Sequence, residues 1–329
     1  MLSGSLRPAA SKLPTAKRTN SLSAMVAQSM LVVQQAPGVN DHRLMVPWAV
    51  TDASMGLSAE DYHTESIGPA LDGSHLEVGL VSDPARVLGG TCGSSLWSAS
   101  TALVAWLCEN DGMLQHLIVG ESVLEIGSGM GFAGMSLAAL GARETLLTDL
   151  PQQLPLLRLN LETNADLLQG KAVSTCAFAW GSRPARIFKQ PRPDLIVACD
   201  VIYDEESVEK LALSFAALLG HTPARGKRGR DAPKPRATRA LLSLPDRSEF
   251  GYTRGNDPEP LPDYELFLDA LAHTMRGQLR VEHLDVIPSA KAGTMSSNVA
   301  VILLSRREPG GDAADADEEA TATYPCMAV

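Results

Sequence analysis

The amino-acid sequence predicts an α/β fold built on a mostly parallel β-sheet, and three observations support this. Short apolar runs of strand length alternate with stretches in which apolar residues recur at helical spacing. Such alternation is typical of right-handed βαβ units. The chain has 329 residues and is 45% hydrophobic, which is enough for one sizeable core. Aromatic residues make up only 5% of it, a balance that suits an α/β protein better than an all-β sandwich.

The predicted strands are short apolar runs, most of them containing β-branched residues. They are residues 76–81, 122–127, 144–150, 172–181, 194–203, 239–247, 279–286 and 298–306. The run 194–203 has an almost continuous apolar centre, as expected for a strand buried on both faces. No helical pattern separates the last two runs, so we expect them to form an antiparallel pair at the end of the sheet.

The predicted helices carry apolar residues at a spacing of three and four. They are residues 98–110, 132–140, 154–164, 207–219 and 264–275. Ser98 is expected to cap the first helix, and Gly141 to end the second.

Composition separates tails and one insertion from this folded region. Residues 1–40 contain no Asp or Glu and indicate a disordered basic leader or an organelle transit peptide. Residues 41–74 are assigned to an N-terminal extension and residues 75–307 to the folded domain. Residues 221–239, rich in Pro, Gly, Arg and Lys, predict a mobile basic insertion. Residues 308–329 predict a disordered acidic tail.

Charge and cysteine usage argue against several classes of protein. The net charge of -10 disfavours bulk nucleic-acid binding. The five cysteines contain no CxxC pair, so we expect no disulfide framework, no metal site and a reducing compartment. No apolar run approaches the roughly 20 residues that span a bilayer. We therefore expect a soluble cytoplasmic protein that needs no membrane, unless the leader directs it to an organelle.

The stretch VLEIGSGMGFAGMSLAALG (123–141) predicts a cofactor site at a strand-to-helix turn. Gly127, Gly129 and Gly131 form GxGxG, while Gly129, Gly131 and Gly134 also form GxGxxG. Glycine suits this turn because φ can be positive and the backbone can approach a ligand closely. The glycine pattern alone fits several nucleotide-bearing cofactors.

Two acids near the turn narrow the choice. Asp149 ends the second strand, about 20 residues on, where a carboxylate can accept hydrogen bonds from ribose hydroxyls. Both NAD and S-adenosyl-L-methionine carry a ribose. Glu125 lies two residues before Gly127, where dinucleotide sites usually have apolar residues. Because S-adenosyl-L-methionine carries an ammonium and no phosphate, Glu125 favours it over NAD.

Several segments taken together resemble a known enzyme family. SVLEIGSGMGFAG resembles motif I of class I S-adenosylmethionine-dependent methyltransferases. GGTCGSSLWSASTALVAWL, VLEIGSGMGFAG, TDL, AFAWG and ACDVIY, in that order, resemble the seven-strand protein-lysine methyltransferases called methyltransferase family 16, over roughly residues 75–306. The resemblance implies a Rossmann-like, doubly wound, mostly parallel seven-strand sheet with an antiparallel C-terminal strand. It also implies S-adenosyl-L-methionine as the cofactor.

The resemblance, together with the acids and glycines above, gives a set of cofactor-binding residues. They are Trp97, Glu125, Gly127, Ser128, Gly129, Gly131, Asp149, Trp180 and Cys199. Trp97 would pack against the methionine end, and Asp149 would hold the ribose. Trp180 would stack on the adenine, a contact worth about 1–3 kcal/mol per base in nucleic-acid complexes. Cys199 stands where the family usually has a small residue with a backbone contact to the cofactor.

Asp200 and Tyr203 match the family's [D/E]-x-x-[Y/F] motif and are the predicted catalytic residues. Methyl transfer is an in-line displacement, so the enzyme must position a neutral amine. A free lysine has a pKa of about 10.4 and must lose a proton before it attacks. Asp200 would orient the amine or receive its proton through water, and Tyr203 would line the lysine channel. LPDR (244–247) and the basic insertion are interpreted as segments that set substrate choice.

The predicted function is methyl transfer to a lysine of a protein substrate by a monomeric enzyme. One alternative is a small-molecule N-methyltransferase acting on nicotinamide-like amines. Another is a non-catalytic module that binds the cofactor and a partner. An NAD-dependent dehydrogenase is disfavoured, because no Tyr-x-x-x-Lys or His–Asp arrangement is convincingly placed.

Overall fold

A computed structural model describes most of the chain between residues 57 and 307. The described residues are 31–32, 45–46, 57–69, 73–88, 90–183, 187, 192–203, 205–220, 237–247, 263–292 and 297–307. The predicted acidic tail, nearly all of the predicted leader and residues 221–236 of the predicted insertion lie outside them. Arg239, the last residue of that predicted insertion, instead begins a strand.

The strands and helices follow the predicted alternation. The strands are β1 (Leu31–Val32), β2 (Met45–Val46), β3 (Tyr62–Pro69), β4 (His75–Val81), β5 (Ser122–Ile126), β6 (Glu144–Asp149), β7 (Ala172–Ala177), β8 (Leu195–Cys199), β9 (Arg239–Pro245), β10 (Leu279–Ile287) and β11 (Val299–Arg306). The α-helices are α1 (Ser98–Glu109), α2 (Asp111–Leu117), α3 (Phe132–Ala139), α4 (Leu154–Thr163), α5 (Glu205–Gly220), α6 (Asp263–Thr274) and α7 (Ser289–Ala292). Short 3-10 turns lie at Ala59–Asp61 and Cys92–Ser94.

The central sheet has seven strands in the order β10-β11-β9-β8-β5-β6-β7. Strands β5 to β9 pair in parallel, and β11 runs antiparallel between β9 and β10. The predicted doubly wound sheet and its antiparallel C-terminal pair are therefore confirmed. From β5 the chain moves outward through β6 and β7, then returns to β8 on the other side. The switch point of this topology thus lies between β5 and β8, where open α/β sheets bind their ligands.

Two apolar cores lie on the two faces of the sheet. Alternate strand residues divide between them, so that Val123 packs into one core and Leu124 into the other. The first core contains side chains of α1, α3 and α4, and the second contains those of α5 and α6. Phe215 and Phe267 join α5 to α6 edge-on, with ring centroids 5.4 Å apart. Among the described helices, none is both long and apolar enough to cross a bilayer.

A hairpin of β3 and β4 lies beside the central sheet and was not fully predicted. Strand β3 falls in the segment assigned to an N-terminal extension, because its residues show no apolar run, and only one of the eight is buried. Helix α2, too short for a clear period, also escaped prediction.

Two asparagines attach this hairpin to helix α4. Asn160 Oδ1 accepts from the Val81 amide (2.7 Å), and its Nδ2 donates to the Val81 carbonyl (3.1 Å). Asn164 contacts Gly79 in the same way, at 2.8 and 2.7 Å. The pair, four residues apart on one helix face, thus contacts alternate residues of β4.

Some element ends differ from the prediction. Strands β7 and β8 end at Ala177 and Cys199, earlier than expected. Asp200 has φ 54°, which cannot continue a strand. Trp97, not Ser98, is the N-cap of α1, and no side chain caps this helix, so the predicted serine cap was wrong.

Candidate functional site

A cavity of about 460 Å³ opens at the carboxyl ends of β5 and β8. Loop 91–97, the glycine turn 127–129 and the segment 199–203 contribute to its wall. The predicted site residues line it with one exception, Gly131. Gly131 has φ 88°, and a Cβ there would lie 2.6 Å from Leu157 Cδ1. Gly131 therefore serves the packing of α4 against the turn, and the structure does not bring it to the cavity.

The backbone of the glycine turn has positive φ angles, which glycine adopts without strain. Gly127 has φ 69° and Gly129 has φ 54°. A Cβ on Gly127 would lie 2.9 Å from Val201 Cγ1, so the turn also needs the space that glycine leaves. Ser128 ties the turn to β6, because its amide donates to the Thr148 carbonyl and its Oγ accepts from the Thr148 amide, both at 3.0 Å.

Asp149 fixes the turn as well as lining the cavity. Its Oδ2 accepts from the Gly129 amide (2.8 Å), and its Oδ1 accepts from the Leu150 amide (2.7 Å). Burial raises the pKa of Asp149, while these two amides act to lower it. Each carboxylate oxygen can accept more than one hydrogen bond, so the contacts with the turn leave acceptor capacity toward a ligand.

Glu125 is a buried acid with an unpartnered oxygen on the cavity wall. Its side chain is 3% exposed, and its Oε2 has no hydrogen-bond partner among the described residues. Burial raises its pKa to about 8, with the charge of Asp149 adding and Ser128 and the Gly134 amide opposing. Glu125 is therefore mostly protonated at neutral pH. An ammonium group placed in the cavity would favour its charged form.

Gln153 is a site residue that sequence reasoning missed. It is fully buried, and its Oε1 accepts from the Thr91 amide (2.9 Å). Its Nε2 donates to the carbonyls of Gly93 (3.0 Å) and Gly129 (3.3 Å). One amide side chain thus holds loop 91–97 against the glycine turn, where a Cβ on Gly93 would lie 2.9 Å from Gly129 Cα. Nothing in the sequence pattern distinguishes Gln153 from its exposed neighbour Gln152.

Three aromatic side chains stand at the cavity and leave part of their surface exposed. Trp97 is 47% exposed, and its Nε1 donates to the Cys92 carbonyl (3.0 Å). The rings of Trp180 and Tyr203 pack with centroids 6.1 Å apart, and Tyr203 is 55% exposed. Flat apolar faces of this kind suit stacking on an aromatic ligand or enclosing an alkyl chain.

At the end of β8, the cavity wall carries the Asp200 carboxylate, whose charge Arg247 partly neutralises. Burial raises the pKa of Cys199 well above its usual value, as do the charges of Glu125 and Asp200, so this thiol remains protonated. The Asp200 carboxylate accepts a hydrogen bond from Arg247 Nη2. Sequence reasoning recognised LPDR as a polar cluster on this side but did not pair Arg247 with Asp200. The parallel pairing of β8 with β9 provides the signal, since it places the two strand ends side by side.

The match to a protein family includes the residues that line this cavity, except Arg247. Residues 85–224 match the model of the family described as lysine methyltransferase. This match covers less than half of the chain.

Curated relatives of this chain include two vertebrate proteins. The chain is 30% identical over 132 residues to protein-lysine methyltransferase METTL21E of Mus musculus, covering 40% of this chain and 53% of that protein. It is 33% identical over 123 residues to protein N-lysine methyltransferase METTL21A of Xenopus tropicalis, covering 37% and 54%. The chain thus spans about half the length of the relatives it matches.

Solved structures with a similar chain path include S-adenosylmethionine-dependent methyltransferases. One is the Clostridium acetobutylicum enzyme, with TM-score 0.40 and 15% identity, covering 64% of this chain and 92% of that chain. Another is magnesium protoporphyrin IX methyltransferase from Synechocystis with bound SAH, with TM-score 0.40 and 15% identity, covering 64% and 81%.

The residues that line the cavity fit S-adenosylmethionine. The orphaned Oε2 of Glu125 matches an ammonium, and the remaining acceptor capacity of Asp149 matches ribose hydroxyls. The indole of Trp180 offers a face to an adenine. In the part of the chain that the structure describes, no three His, Cys, Asp or Glu side chains are grouped to hold a metal ion.

Proposed function

We propose that the protein is an S-adenosylmethionine-dependent methyltransferase that modifies a lysine side chain of a protein substrate. The observation that carries the proposal is the convergence of Glu125, Asp149, Trp180 and Asp200 on one cavity at the switch point. Glu125 lies within β5 and Asp149 ends β6, while Trp180 and Asp200 follow β7 and β8. The parallel sheet brings these four strand ends together. The names of the relatives support lysine as the acceptor.

Residues at one end of the cavity would bind the cofactor, and residues at the other end would bind the lysine. Asp149 and Trp180 would hold the nucleoside, and Glu125 the ammonium. When bound, S-adenosylmethionine supplies a methyl group activated by a positively charged sulfur. Asp200 and Tyr203 would receive the lysine, with the ring of Tyr203 along its alkyl chain and the Asp200 carboxylate near the amine. Asp200 would receive the proton of the lysine ammonium through water, and would then orient the neutral amine that results.

The exposed rim favours a protein acceptor over a small molecule. Trp97 and Tyr203 are each about half exposed where they border the cavity. A lysine on a protein surface needs such an open mouth, whereas a small amine is better held by an enclosed pocket.

The proposal also covers the bounds of the catalytic unit, the cellular compartment and the oligomeric state. The catalytic unit is proposed to span residues 75–307, together with β3, which pairs with β4 along its whole length. We place the protein in the cytoplasm as a monomer, on the strength of its composition. Mass spectrometry of the mature N terminus tests for removal of the acid-free leader, and sedimentation tests the monomer.

The proposal is tested by transfer of a radiolabelled methyl group from S-adenosylmethionine into proteins of a cell lysate. The unmodified chain is expected to label a protein band whose methylated residue is lysine. Asp149→Asn and Asp200→Asn are expected to reduce the label strongly while leaving a measurable remainder, because they remove the charges that hold ribose and amine. Asp166→Asn, an exposed change on the same domain, serves as the matched control.

Calorimetry with S-adenosylhomocysteine separates the outcomes. Intact binding without any labelled band would move the assignment to a small-molecule acceptor or a binding module. Absence of binding would overturn the methyltransferase proposal.

A further inference from the structure

The side chain of Arg247 approaches the proposed catalytic carboxylate from the neighbouring strand. Strands β8 and β9 pair in parallel, with Cys199 opposite Ser243. Asp200 directly follows β8, and Arg247 lies two residues beyond the end of β9. Both side chains line the cavity that holds the proposed cofactor and acceptor sites.

The Arg247 guanidinium bridges three groups. Its Nη2 donates to Asp200 Oδ1, and its Nη1 donates to the carbonyl of Ile202 at 2.8 Å. Its Nη1 also lies 3.5 Å from Asp263 Oδ2, at the start of α6. The Arg247 side chain is 21% exposed and the Asp200 side chain 5%. A planar guanidinium holds such a set of acceptors in a fixed geometry, as an ammonium does not.

The backbone at Asp200 needs this support. Its φ of 54° is uncommon for a residue with a side chain, and such conformations persist where the surroundings hold them. The Asp200 amide donates to the Ser243 carbonyl at 3.0 Å, which fixes the backbone. Arg247 fixes the carboxylate and, through Ile202, the segment that leads to Tyr203.

We propose that Arg247 is a positioning residue that keeps the Asp200 carboxylate charged and aimed into the cavity during methyl transfer. This inference rests on the proposed function, because Asp200 is there assigned to the amine. The described hydrogen bonds and ion pairs of Arg247 go to Asp200, Ile202 and Asp263, and not to the groups assigned to the nucleoside.

The charges around Asp200 explain why its carboxylate depends on Arg247. The charged and titratable groups on the surrounding elements are Arg247 after β9, Asp263 on α6, Cys199 on β8, Glu125 on β5, Lys210 on α5 and Tyr203. Burial raises the pKa of Asp200, and Arg247 is the group that opposes the rise. Removing it would leave a buried carboxylate near other acids, and Asp200 would take up a proton at higher pH.

If the role of Arg247 were purely structural, the expected results would differ. If Arg247 only ties α6 to the sheet, its loss would lower stability and affect all functions of the site alike. A positioning role would spare cofactor binding, change kcat more than KM, and act through Asp200 alone.

The first measurement is the titration of Asp200, which needs no substrate. Protein labelled with ¹³C at aspartate carboxyl carbons is titrated by NMR, and Asp200→Asn identifies the Asp200 signal. Arg247→Met keeps the length of the side chain and removes its charge. We expect the Asp200 midpoint to rise by about one pH unit or more. Arg239→Met, at the opposite end of β9, is the matched control and should leave the midpoint in place.

The second measurement is methyl transfer to the substrate found by labelling. Arg247→Met is expected to lower kcat by about 10-fold to 100-fold near neutral pH, with recovery toward higher pH. Affinity for S-adenosylhomocysteine should change less than about 3-fold, and Arg247→Lys should restore part of kcat. In the Asp200→Asn background, Arg247→Met should have no further effect.

The inference is overturned if Arg247→Met leaves the Asp200 midpoint unchanged. It is also overturned if Arg247→Met lowers kcat as much in the Asp200→Asn background as in the unmodified protein. If Arg247→Met does not fold, Arg247→Lys carries the same titration, with a smaller upward shift expected. If the unmodified protein transfers no methyl group, the proposed function fails, while the titration still decides whether Arg247 governs Asp200.

Discussion

Three buried or part-buried acids share the cavity, and they differ in their hydrogen-bond partners. Asp149 accepts from two backbone amides, whereas Asp200 accepts from a guanidinium. Glu125 Oε2 has no partner in the described structure. The charge on each acid follows from these contacts, because burial favours the neutral form and donors favour the anion. Glu125 is thus the acid whose charge depends most on what enters the cavity.

The pH dependence of stability should reveal the buried Glu125. Its pKa is about 8 in the fold, against an ordinary value of 4.5, so the folded state binds this proton more tightly than the unfolded state. Its contribution is fully present below the unfolded value and is lost as pH rises through about 8. Between these limits the loss approaches about 1.4 kcal/mol per pH unit. We expect Glu125→Gln to gain stability relative to the unmodified chain as pH rises from about 5.5 to about 8.5.

Urea unfolding at several pH values measures this difference. Glu209→Gln, an exposed change on α5, should run parallel to the unmodified chain. Parallel curves for Glu125→Gln as well would show that Glu125 is not protonated in the fold.

At the scale of elements, one side of the cavity is formed where loop 91–97 meets the glycine turn. Loop 91–97 and the glycine turn come from distant parts of the chain, and Gln153, just before α4, bonds to both. The two loops approach so closely that glycine is needed on each side, at Gly93 and Gly129. We therefore expect the position of Trp97 at the cavity to depend on this junction.

Breaking the junction should weaken cofactor binding. Gln153→Leu keeps the bulk of the side chain but leaves the Thr91 amide and two carbonyls without their partner. A buried group left unsatisfied costs about 1–3 kcal/mol. We expect the affinity for S-adenosylhomocysteine to fall by about 10-fold or more, as measured by calorimetry. Gln152→Leu, on the exposed neighbour, should bind normally, and equal losses for both variants would argue against the junction.

At the scale of the whole molecule, one sheet separates two cores and should couple them. Asn160 anchors the hairpin on the first face, and Phe267 lies in the second core. Because every strand of the sheet contributes to both faces, the domain is expected to unfold in one transition. The hairpin is included in that unit, since Asn160 and Asn164 bind β4 directly.

Paired substitutions on the two faces test this coupling. We expect Asn160→Ala to cost about 2 kcal/mol and Phe267→Leu about 1–2 kcal/mol of unfolding free energy. The two costs should add to within about 0.5 kcal/mol in the double variant, because the sites share no partner. Circular dichroism and tryptophan fluorescence should report the same urea midpoint in each variant. Separate midpoints for the two probes would indicate that the faces unfold independently.

The sequence predicts the order and type of the central elements because their apolar patterns are strong. The glycines and acids of the turn are predictable too, since their spacing reflects local chemistry. Gln153 and Arg247 are not, because their roles depend on which strands become neighbours. Gly131 shows the converse, where a motif position turns out to serve packing. Strand β3 is missed because its stability comes from pairing with β4 rather than from an apolar run.

The asparagines of α4 have a consequence for the protein in a crowded cell. A hairpin has two outer edges, and an open edge is a template on which another chain can add a strand and begin to aggregate. On β4, the backbone groups of Gly79 and Val81 that face away from β3 are occupied by Asn164 and Asn160. Helix α4 thus covers this part of the edge with side chains that take the hydrogen-bonding places of a neighbouring strand, so a second molecule cannot pair with β4 there.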